Sequence, residues 1–411
     1  MLSLVESALL SIQPERVISD TLHLEGNTLT VYEQTFDLAK YRRIFLIGFG
    51  KGSAAFSAEI EQTLGDRITE GYVIDVESAE FKKLKFTEGT HPLPSEQNFE
   101  FTKMLLDHFA TLSLAPEDLV LVVVCGGGSA MLVAPDKISL EKQIAVSKAL
   151  LKSGATIFDM NTVRKHLSRV KGGGLAKALY PATVATMVFS DVPGNDLSFI
   201  ASGPTVKDET TVDDAWKLVE KFGIEDGTGL RKEDLSETPK DAKYFEHVHN
   251  QVVVSNQTAL QAMQKEAEKQ GLTARIFSDT FQSEAKEAGQ KLLREAKKGE
   301  VLLAGGETTV KVAGEGGQGG RNQEVVLGVL PRLDDKTIIV SFDSDGWDNS
   351  HFAGAIGDAS TFSSAKSLGL TVENYLAEDN SLPFFEQVGD GIETGRLSSN
   401  VSDLFIVYTY E

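Results

Sequence analysis

The chain has 411 residues, 41% of them apolar, and a formal net charge of −20 at pH 7. This length predicts two domains, each large enough to bury a core without disulfides or metals. The single cysteine, Cys125, excludes an intrachain disulfide and fits a reducing compartment. So acidic a surface repels nucleic acid and anionic membranes, and it repels an anionic small substrate unless positive charge is concentrated locally.

The sequence predicts neither a targeting segment nor a membrane span. The N-terminal segment MLSLVESALLSIQPERV lacks a basic region before its apolar residues and contains Glu6, unlike a signal peptide. An apolar run such as residues 119–125 is far too short to cross a bilayer. We therefore expect a cytoplasmic protein without nucleic-acid or membrane partners; the oligomeric state stays open.

Strands and helices alternate along the N-terminal part of the chain, after a helical leader. The run at 119–125 is apolar at every position, as expected when helices cover both faces of a parallel sheet. This alternation predicts a Rossmann-like, doubly wound and mostly parallel sheet. Its main strands are predicted at 42–48, 71–76, 119–125 and 182–191.

A change in composition marks the predicted domain boundary. Residues 223–243 are polar, rich in glycine and charge, and lack apolar periodicity. We predict an N-terminal domain over residues 1–235 and a C-terminal α/β domain with a mixed sheet over residues 236–411. Strands of the second domain are predicted at 251–256, 273–278, 301–307, 336–346 and 404–408.

The first candidate site is a glycine-rich turn after the first buried strand. It reads Gly48-Phe-Gly50-Lys51-Gly52-Ser53 and precedes a predicted helix. The glycines allow a sharp turn that presents N–H groups, the helix start adds partial positive charge, and Lys51 adds a full charge. These features are typical of a phosphate site, although a tight turn with a solvated lysine explains them equally well.

A second glycine-rich turn follows the strand at 119–125. Its three consecutive glycines, including Gly127 and Gly128, carry a conformational-entropy cost that is seldom accepted for a turn alone. Ser129, which follows them, offers a hydroxyl and an N–H group to a ligand. Cys125 is interpreted as a small packing residue at the strand end.

The densest positive charge of the chain lies between residues 161 and 174. Arg164 is the best candidate there for binding a carboxylate, because a guanidinium can pair with both oxygens. A solvated helix face remains the alternative for at least half of these side chains. The basic residues are Arg164, Lys165, His166, Arg169 and Lys171.

Acidic residues follow two of the strands. Asp191 lies at the carboxyl end of a parallel strand, where ligands bind in such sheets, and could accept a proton from a substrate hydroxyl or hold a metal. An Asx-type turn explains the neighbouring Asn195 and Asp196 about as well. Asp343 and Asp345 are the candidate metal ligands, since Mg²⁺ takes one or two carboxylates alongside phosphate oxygens.

The strongest single signal is a glycine loop in the C-terminal domain. Five glycines occur in the seven residues from Gly314 to Gly320, and Arg321 follows at a helix entrance. A flexible hairpin would explain the glycines but not the arginine. We predict a phosphate loop in which Gly319 and Gly320 contact phosphate and Arg321 compensates the charge of the transferred group.

Further contacts are predicted from the second domain. Gly305-Gly306-Glu307 closes a buried strand and is expected to border the nucleotide. Asn256, at the start of a predicted helix, is a candidate substrate contact.

Two enzyme classes fit the first turn. GFGKGS with Asp75 at the end of the next strand loosely matches a dinucleotide fold, in which an acidic residue grips the ribose. However, Ser53 stands at the third glycine position, and that pattern gives the other glycine loops no role. The P-loop pattern GxxxxGK[ST] does not occur either, because Gly320 stands where it requires lysine. A kinase would therefore need its own type of phosphate site.

Taken together, the motifs resemble one family. GFGKGS, CGGGSA, NTVRKHLSRVKGGGLA, SDVPGNDLSFIASGPT, GGETTV, GGRNQE and DSDGWD occur in this order from about Arg42 to the C-terminus. This set is similar to the class II glycerate kinases, whose C-terminal part is the MOFRL domain. Each motif is weak alone, but seven in order are specific.

The resemblance implies a function and a site. It implies transfer of the γ-phosphoryl group of ATP, with Mg²⁺ or another divalent cation, to the 2-hydroxyl of D-glycerate. It also implies two α/β domains with the active site in the cleft between them, to which Lys51 and Arg321 contribute one basic residue each. The alternatives are an NAD(P)H-dependent hydroxypyruvate reductase, a name some relatives carry, and a sensor that binds phosphate ligands without turnover.

Overall fold

The computed structural model describes residues 1–312 and 315–411. The chain forms two compact units. The N-terminal unit comprises Val17–Phe189 and Asn195–Val253, and the C-terminal unit comprises Met1–Arg16, Ser190–Gly194 and Val254–Glu411. No helix of the described residues is both long enough and apolar enough to cross a membrane.

The described residues form the following elements. The helices are α1 (Leu2–Ser11), α2 (Pro14–Thr21), α3 (Ser53–Leu64), α4 (Glu96–Thr111), α5 (Gly128–Met131), α6 (Leu140–Lys152), α7 (Ile157–Lys165), α8 (Gly174–Leu179), α9 (Val212–Lys221), α10 (Ile224–Thr228), α11 (Asn256–Lys269), α12 (Ala285–Glu295), α13 (Arg321–Leu327), α14 (Ala359–Ser367), α15 (Val372–Ala377) and α16 (Ser381–Val388). The strands are β1 (Leu22–Glu25), β2 (Thr28–Val31), β3 (Gln34–Asp37), β4 (Arg43–Phe49), β5 (Glu70–Asp75), β6 (Leu84–Glu88), β7 (Asp118–Val124), β8 (Thr183–Phe189), β9 (Val248–Val254), β10 (Thr273–Glu284), β11 (Glu300–Thr309), β12 (Thr337–Asp343), β13 (Gly354–Gly357), β14 (Gly391–Ile392) and β15 (Asp403–Thr409).

A six-stranded sheet of order β6-β5-β4-β7-β8-β9 forms the framework of the N-terminal unit. The strand pairs from β6 to β8 are parallel. β9 is parallel to β8 as well, because the N–H groups of Val184 and Ser190 donate to the carbonyls of His247 and Val254, which follow in the same order along β9. Counted from β4, this is the 3-2-1-4-5-6 order of a Rossmann fold, and it reverses between β4 and β7. The predicted doubly wound parallel sheet is confirmed.

The interior of this sheet explains the apolar runs in the sequence. Every residue of β7 is buried, including Asp118 at its start. Arg43 on the neighbouring strand pairs with Asp118 at 2.6 Å, so that the one charge of β7 is compensated. Helices that begin on hydroxyl caps, such as α4 on Ser95 and α7 on Thr156, connect the strands. A small antiparallel sheet, β1-β2-β3, precedes the main one.

The C-terminal unit has a mixed sheet of order β10-β11-β15-β12-β13-β14. The β10–β11 pair is parallel, and the other neighbours are antiparallel. The fully buried side chains of Phe342, Phe384, Phe385 and Phe405 contribute to its core. The predicted α/β class, with one mostly parallel and one mixed sheet, is therefore confirmed.

The two units differ in extent from the domains predicted at 1–235 and 236–411. The strand predicted at 251–256 pairs with β8 as β9 and completes the first sheet rather than opening the second. At the other end of the chain, α1 packs on α11, with the Ser7 hydroxyl donating to the carbonyl of Ala262 at 3.1 Å. Both differences come from long-range pairing, which local composition does not reveal.

Candidate active site

The first two glycine turns meet at the point where the order of the N-terminal sheet reverses. The backbone N–H of Lys51, after β4, donates to the carbonyl of Gly126, after β7, at 2.8 Å. Gly50 makes this approach possible: its φ is +107°, and a Cβ there would lie 2.4 Å from the carbonyl oxygen of Cys125. Ligands of such sheets bind outside the carboxyl ends of the strands at this reversal. Both predicted turns therefore border one candidate site.

The start of α3 holds a carboxylate of the protein itself. The N–H of Ala54 donates to Asp75, which is 1% exposed, at 2.9 Å, and the hydroxyl of Ser53 donates to the carbonyl of Ile74. Burial raises the pKa of Asp75 to about 6. Backbone hydrogen bonds to its carboxylate, including one from Gly52, lower the pKa but do not cancel the effect of burial. Sequence reasoning assigned this helix start to phosphate, but Asp75 already accepts from it. Because Asp75 accepts from the start of α3, the side chain of Lys51 is the feature of this turn that can still attract the anionic group of a ligand.

The glycines around the turns are also packing positions. A Cβ at Gly48 would lie 2.6 Å from the hydroxyl of Ser57, and one at Gly128 would lie 3.0 Å from the Phe49 ring. A Cβ at Gly127 would lie 2.7 Å from the imidazole ring of His91. Burial and the charge of Lys51 lower the pKa of His91.

A polar network joins the second turn to the basic segment. Lys171 Nζ donates to the Ser129 carbonyl at 2.6 Å, to Ser129 Oγ at 3.0 Å and to the Leu132 carbonyl at 3.3 Å. Ser129 Oγ lies 3.0 Å from Ser202 Oγ, and Ser202 donates to Asn161 Oδ1 at 3.0 Å. Lys171, Ser202 and Asn161 are buried, whereas Ser129 is half-buried. The predicted ligand-binding hydroxyl is thus in contact with a buried amine.

Arg164 lies close enough to Lys171 to perturb it. Burial lowers the pKa of Lys171 to about 7, and the positive charge of Arg164 contributes to the shift. Burial also lowers the pKa of Arg164 itself, whose side chain makes no hydrogen bond or ion pair with the described residues. We call Lys51, His91, Ser129, Arg164 and Lys171 the switch-point site. It concentrates positive charge, without a carboxylate partner among the described residues, in a chain of net charge −20.

Two other basic side chains of this segment lie beside acidic residues of the protein itself. Lys165 pairs with the buried Asp208 at 3.2 Å, and the buried His166 lies 3.4 Å from Glu237. Arg169 is exposed. Of the five basic side chains between 161 and 174, only Arg164 and Lys171 belong to the switch-point site.

In the C-terminal unit, Arg321 is surrounded by carboxylates. Its Nε donates to Asp403 at 2.9 Å, Nη1 to Glu307 at 2.8 Å and Nη2 to Asp343 at 3.2 Å. These carboxylates raise the pKa of Arg321 despite its partial burial, so it stays charged. Burial raises the pKa of Asp343, with further increases from the charges of Asp403 and Asp345. We call Arg321, Glu307, Asp343 and Asp403 the Arg321 cluster; no motif in the sequence pointed to Asp403.

The glycine loop before Arg321 has a packing explanation. The N–H groups of Asn322 and Gln323, at the start of α13, donate to the buried carboxylate of Asp348 at 3.0 and 2.8 Å. A Cβ at Gly320 would lie 2.2 Å from this carboxylate, and one at Gly319 would lie 2.1 Å from the Ser381 hydroxyl. Gly314 lies outside the described residues. As at α3, a buried aspartate caps the helix that sequence reasoning assigned to phosphate.

Other predicted contacts also have partners in the fold. Asn256 donates to the Asp279 carbonyl at 2.6 Å and packs against Gly305. Gly306 lies within β11, opposite Phe281 of β10. The Asp191 carbonyl accepts from Ser402 at 2.8 Å. These contacts explain the residues structurally, and their predicted ligand roles stay predictions.

The predicted metal ligands are neighbours in the C-terminal unit. Asp343 accepts from the Asp345 N–H at 3.1 Å, and Asp345 accepts from Asn400 at 3.1 Å and from the Trp347 N–H at 3.0 Å. Within residues 1–312 and 315–411, no three acidic, histidine or cysteine side chains are arranged to hold a metal alone. A cation here would need ligands from a bound phosphate as well.

Comparison with known proteins adds to this geometry. Residues 1–232 match the model of a domain of unknown function, DUF4147, and residues 300–403 match that of the MOFRL family. A glycerate 2-kinase from Pyrococcus horikoshii is 36% identical over 98% of this chain and 96% of its own length. The chain belongs to the MOFRL-domain glycerate kinase family.

Two further relatives bear on the function. The crystal structure of a glycerate kinase from Thermotoga maritima superimposes with a TM-score of 0.88 at 33% identity, over 99% of this chain and 98% of that one. A protein from Agrobacterium vitis, 36% identical over 88% of this chain and 86% of its own, is named provisionally as a hydroxypyruvate reductase. The predicted family is therefore confirmed, and both enzyme names occur within it.

Proposed function

We propose that this protein is a glycerate 2-kinase, which transfers the γ-phosphoryl group of ATP to the 2-hydroxyl of D-glycerate and releases 2-phosphoglycerate and ADP. One observation carries the proposal: Lys51 lies in the turn at the sheet reversal, and Arg164 lies close enough to the buried Lys171, which bonds Ser129 after that reversal, to lower its pKa; neither Lys51 nor Arg164 has a carboxylate partner among the described residues. Such a site attracts substrates that carry phosphate and carboxylate groups, although the protein as a whole repels them.

Each charged group then has a role in phosphoryl transfer, which depends on positioning and charge neutralisation. Lys51 and Arg321 stabilise the charge on the moving phosphoryl group. Arg164 binds the glycerate carboxylate through its two-pronged guanidinium. Asp191 orients the 2-hydroxyl.

A divalent cation fits the charge of the Arg321 cluster. One arginine faces three carboxylates, and Asp345 adjoins them, so negative charge is in excess. Asp343 and Asp345 would hold Mg²⁺ together with phosphate oxygens. The ion supplies neutralisation of the triphosphate when bound.

The reductase alternative lacks a ribose-binding residue. Asp75, at the end of the strand after the glycine turn, is 1% exposed and accepts from the start of α3. Such a carboxylate is not available to the hydroxyls of a nicotinamide cofactor. A kinase makes no use of this position, so the burial of Asp75 favours phosphoryl transfer.

The test incubates the protein with D-glycerate, ATP and Mg²⁺ and identifies the product by phosphorus NMR. We expect 2-phosphoglycerate and an equal amount of ADP. Formation of 3-phosphoglycerate would assign the protein to another kinase class. NAD(P)H oxidation with hydroxypyruvate and no ADP would favour the reductase, and ligand binding without turnover would favour the sensor.

A further inference from the structure

The surroundings of Lys171 suit an amine that gains and loses a proton. Its Nζ has three oxygen neighbours within hydrogen-bonding distance: the carbonyls of Ser129 and Leu132 and the hydroxyl of Ser129. As an ammonium ion it donates one proton to each. As a neutral amine it donates to the two carbonyls and accepts from the hydroxyl. Because Ser202 gives its proton to Asn161, Ser129 donates to Ser202 when Lys171 is charged and turns its proton to Nζ when Lys171 is neutral.

Ser129 can connect this amine to a ligand. A hydroxyl has one donor and two acceptor sites. Lys171 occupies one site and Ser202 another, which leaves a third. Ser129 is half-buried, whereas Lys171 and Ser202 are 3% and 0% exposed. A substrate therefore reaches the serine before it reaches the lysine.

The charges around Lys171 favour the neutral amine. Arg164 is the charged side chain that acts on it, and no carboxylate of the described residues does so. Lys165, by contrast, pairs with the carboxylate of Asp208 at 3.2 Å. Burial and Arg164 bring the pKa of Lys171 to about 7, so that both protonation states are accessible near neutral pH.

We propose that Ser129 and Lys171 together accept the proton of the acceptor hydroxyl during phosphoryl transfer. The proton of the acceptor hydroxyl moves to Ser129 Oγ, while the proton of Ser129 moves to the lone pair of Lys171 Nζ. The freed electron pair of the acceptor oxygen forms the new bond to phosphorus, and the bond to the leaving nucleoside diphosphate breaks with its electrons on the departing oxygen. Lys171 later returns the proton to solvent through Ser129.

This inference rests on the proposed kinase function and gives Asp191 the task of orientation alone. Ser129, which contacts substrate, is the catalytic residue, and Lys171 acts through it. Proton acceptance of this kind contributes about 10²–10⁴-fold to a rate. The backbone carbonyls that hold Lys171 belong to Ser129 itself, in α5, and to Leu132, just after it, so this short helix keeps the amine and the hydroxyl together.

The experiment measures kcat at saturating D-glycerate and ATP from pH 5.5 to 9. The amine must be neutral to accept a proton, so we expect wild-type kcat to fall tenfold per pH unit below about pH 7. Ser129→Ala should lower kcat by about 10²–10⁴-fold with little change in KM, and Ser129→Thr, which keeps the hydroxyl, should restore part of it. Lys171→Met should abolish the acidic limb.

A second measurement separates proton transfer from a structural role. The charge of Arg164 lowers the pKa of Lys171, so Arg164→Met should shift the acidic limb to higher pH, which loss of packing alone would not do. NMR titration of lysine labelled with ¹³C at Cε, assigned by Lys171→Met, should give the same pKa in protein without substrate. Circular dichroism would verify that each variant is folded.

The outcomes distinguish the two proposals. If wild-type protein makes no 2-phosphoglycerate at any pH, the proposed function fails, whatever the titration of Lys171. If it makes the product but Ser129→Ala leaves kcat unchanged, or if Asp191→Asn rather than Lys171→Met removes the acidic limb, the proton-accepting pair is overturned.

Discussion

Lys51 and Arg321 differ in what compensates their charges. Lys51 has no ion-pair partner among the described residues, whereas Arg321 pairs with three carboxylates, of which Asp403 is fully buried. A buried carboxylate that loses its cation is left uncompensated. The two residues proposed to stabilise the same phosphoryl group should therefore respond differently to removal.

We expect Lys51→Ala to lower kcat by about 10³–10⁵-fold, as for other charge-compensating residues, with little change in melting temperature. Arg321→Ala should lower kcat to a similar extent and also lower the free energy of unfolding by as much as about 3–5 kcal/mol. Steady-state kinetics and denaturant unfolding measure the two effects. Lys217→Ala, at an exposed lysine, serves as the control. Near-normal turnover in either variant would remove that residue from the site.

Arg164 should determine affinity for glycerate rather than for nucleotide. Loss of a charge-assisted hydrogen bond to a carboxylate costs about 1.5–3 kcal/mol, which corresponds to a rise of about 10- to 150-fold in KM for glycerate in Arg164→Met. The KM for ATP should change little. Arg169→Met, at the exposed arginine just beyond α7, provides the matched control. An equal rise in both KM values would contradict carboxylate recognition.

Individual site residues were predicted unevenly from the sequence. Arg164 was predicted to bind a carboxylate because it lies in the most basic segment of an acidic chain and a guanidinium can pair with both oxygens; the structure leaves its side chain unpaired within the described residues, and the role stays a prediction. The link from Lys171 to Ser129 was not predicted, because 42 residues separate them and burial of an amine leaves no local signal. Asp403 was missed because it is distant in sequence from Arg321, with which it pairs.

At the level of elements, two helix starts are capped by buried aspartates from elsewhere in the chain. Asp75 lies at the start of α3 and Asp348 at the start of α13. Glycine loops before helices are the usual signal of a phosphate site, but the same glycines also admit a carboxylate of the protein. The strands and helices themselves were largely predicted, since apolar periodicity is local. The occupants of the helix starts lie 21 and 26 residues away and could not be predicted.

The cap on α3 should make stability depend on pH. Burial raises the pKa of Asp75 from its ordinary value of 3.8 to about 6, so the folded protein keeps a proton that the unfolded chain has released. The stability from this group is full below about pH 4 and is lost as the pH rises to about 6. In Asp75→Asn this pH-dependent loss of stability is absent. The weakened hydrogen bond of the variant changes its free energy of unfolding by an amount that does not vary with pH.

Urea unfolding of the wild type and of Asp75→Asn between pH 4 and 7 measures the effect. We expect wild-type stability to fall relative to the variant across pH 4–6 and to run parallel to it above that range. Asp226→Asn, at an exposed aspartate, should stay parallel to the wild type throughout. A pH-independent difference between wild type and Asp75→Asn would show that this carboxyl titrates normally.

At the scale of the whole molecule, the first sheet extends beyond the polar segment at 223–243. β9 covers β8, and Lys240 donates to the carbonyls of Asp208 and Thr210 at 2.6 Å each. The change in composition near residue 235 marked a surface segment within this unit. Composition reports exposure, whereas the extent of a unit depends on strand pairing.

We expect a fragment of residues 17–253 to unfold cooperatively on heating. A fragment of residues 17–235 should aggregate or melt without a clear transition, because it exposes β8 as an unprotected edge and loses Lys240. Circular dichroism and gel filtration of the two fragments test this difference. Equal melting temperatures would place the end of the unit at the earlier position.

The pairing of α1 with α11 has a consequence for synthesis of the protein. The partners Ser7 and Ala262 are 255 residues apart, and the buried face of α1 includes Leu4, Val5 and Leu9. At about 5–20 residues per second, α1 emerges from the ribosome roughly 10–50 seconds before its partner exists. During that interval its apolar face is available to chaperones, while the intervening residues 17–253 can already fold.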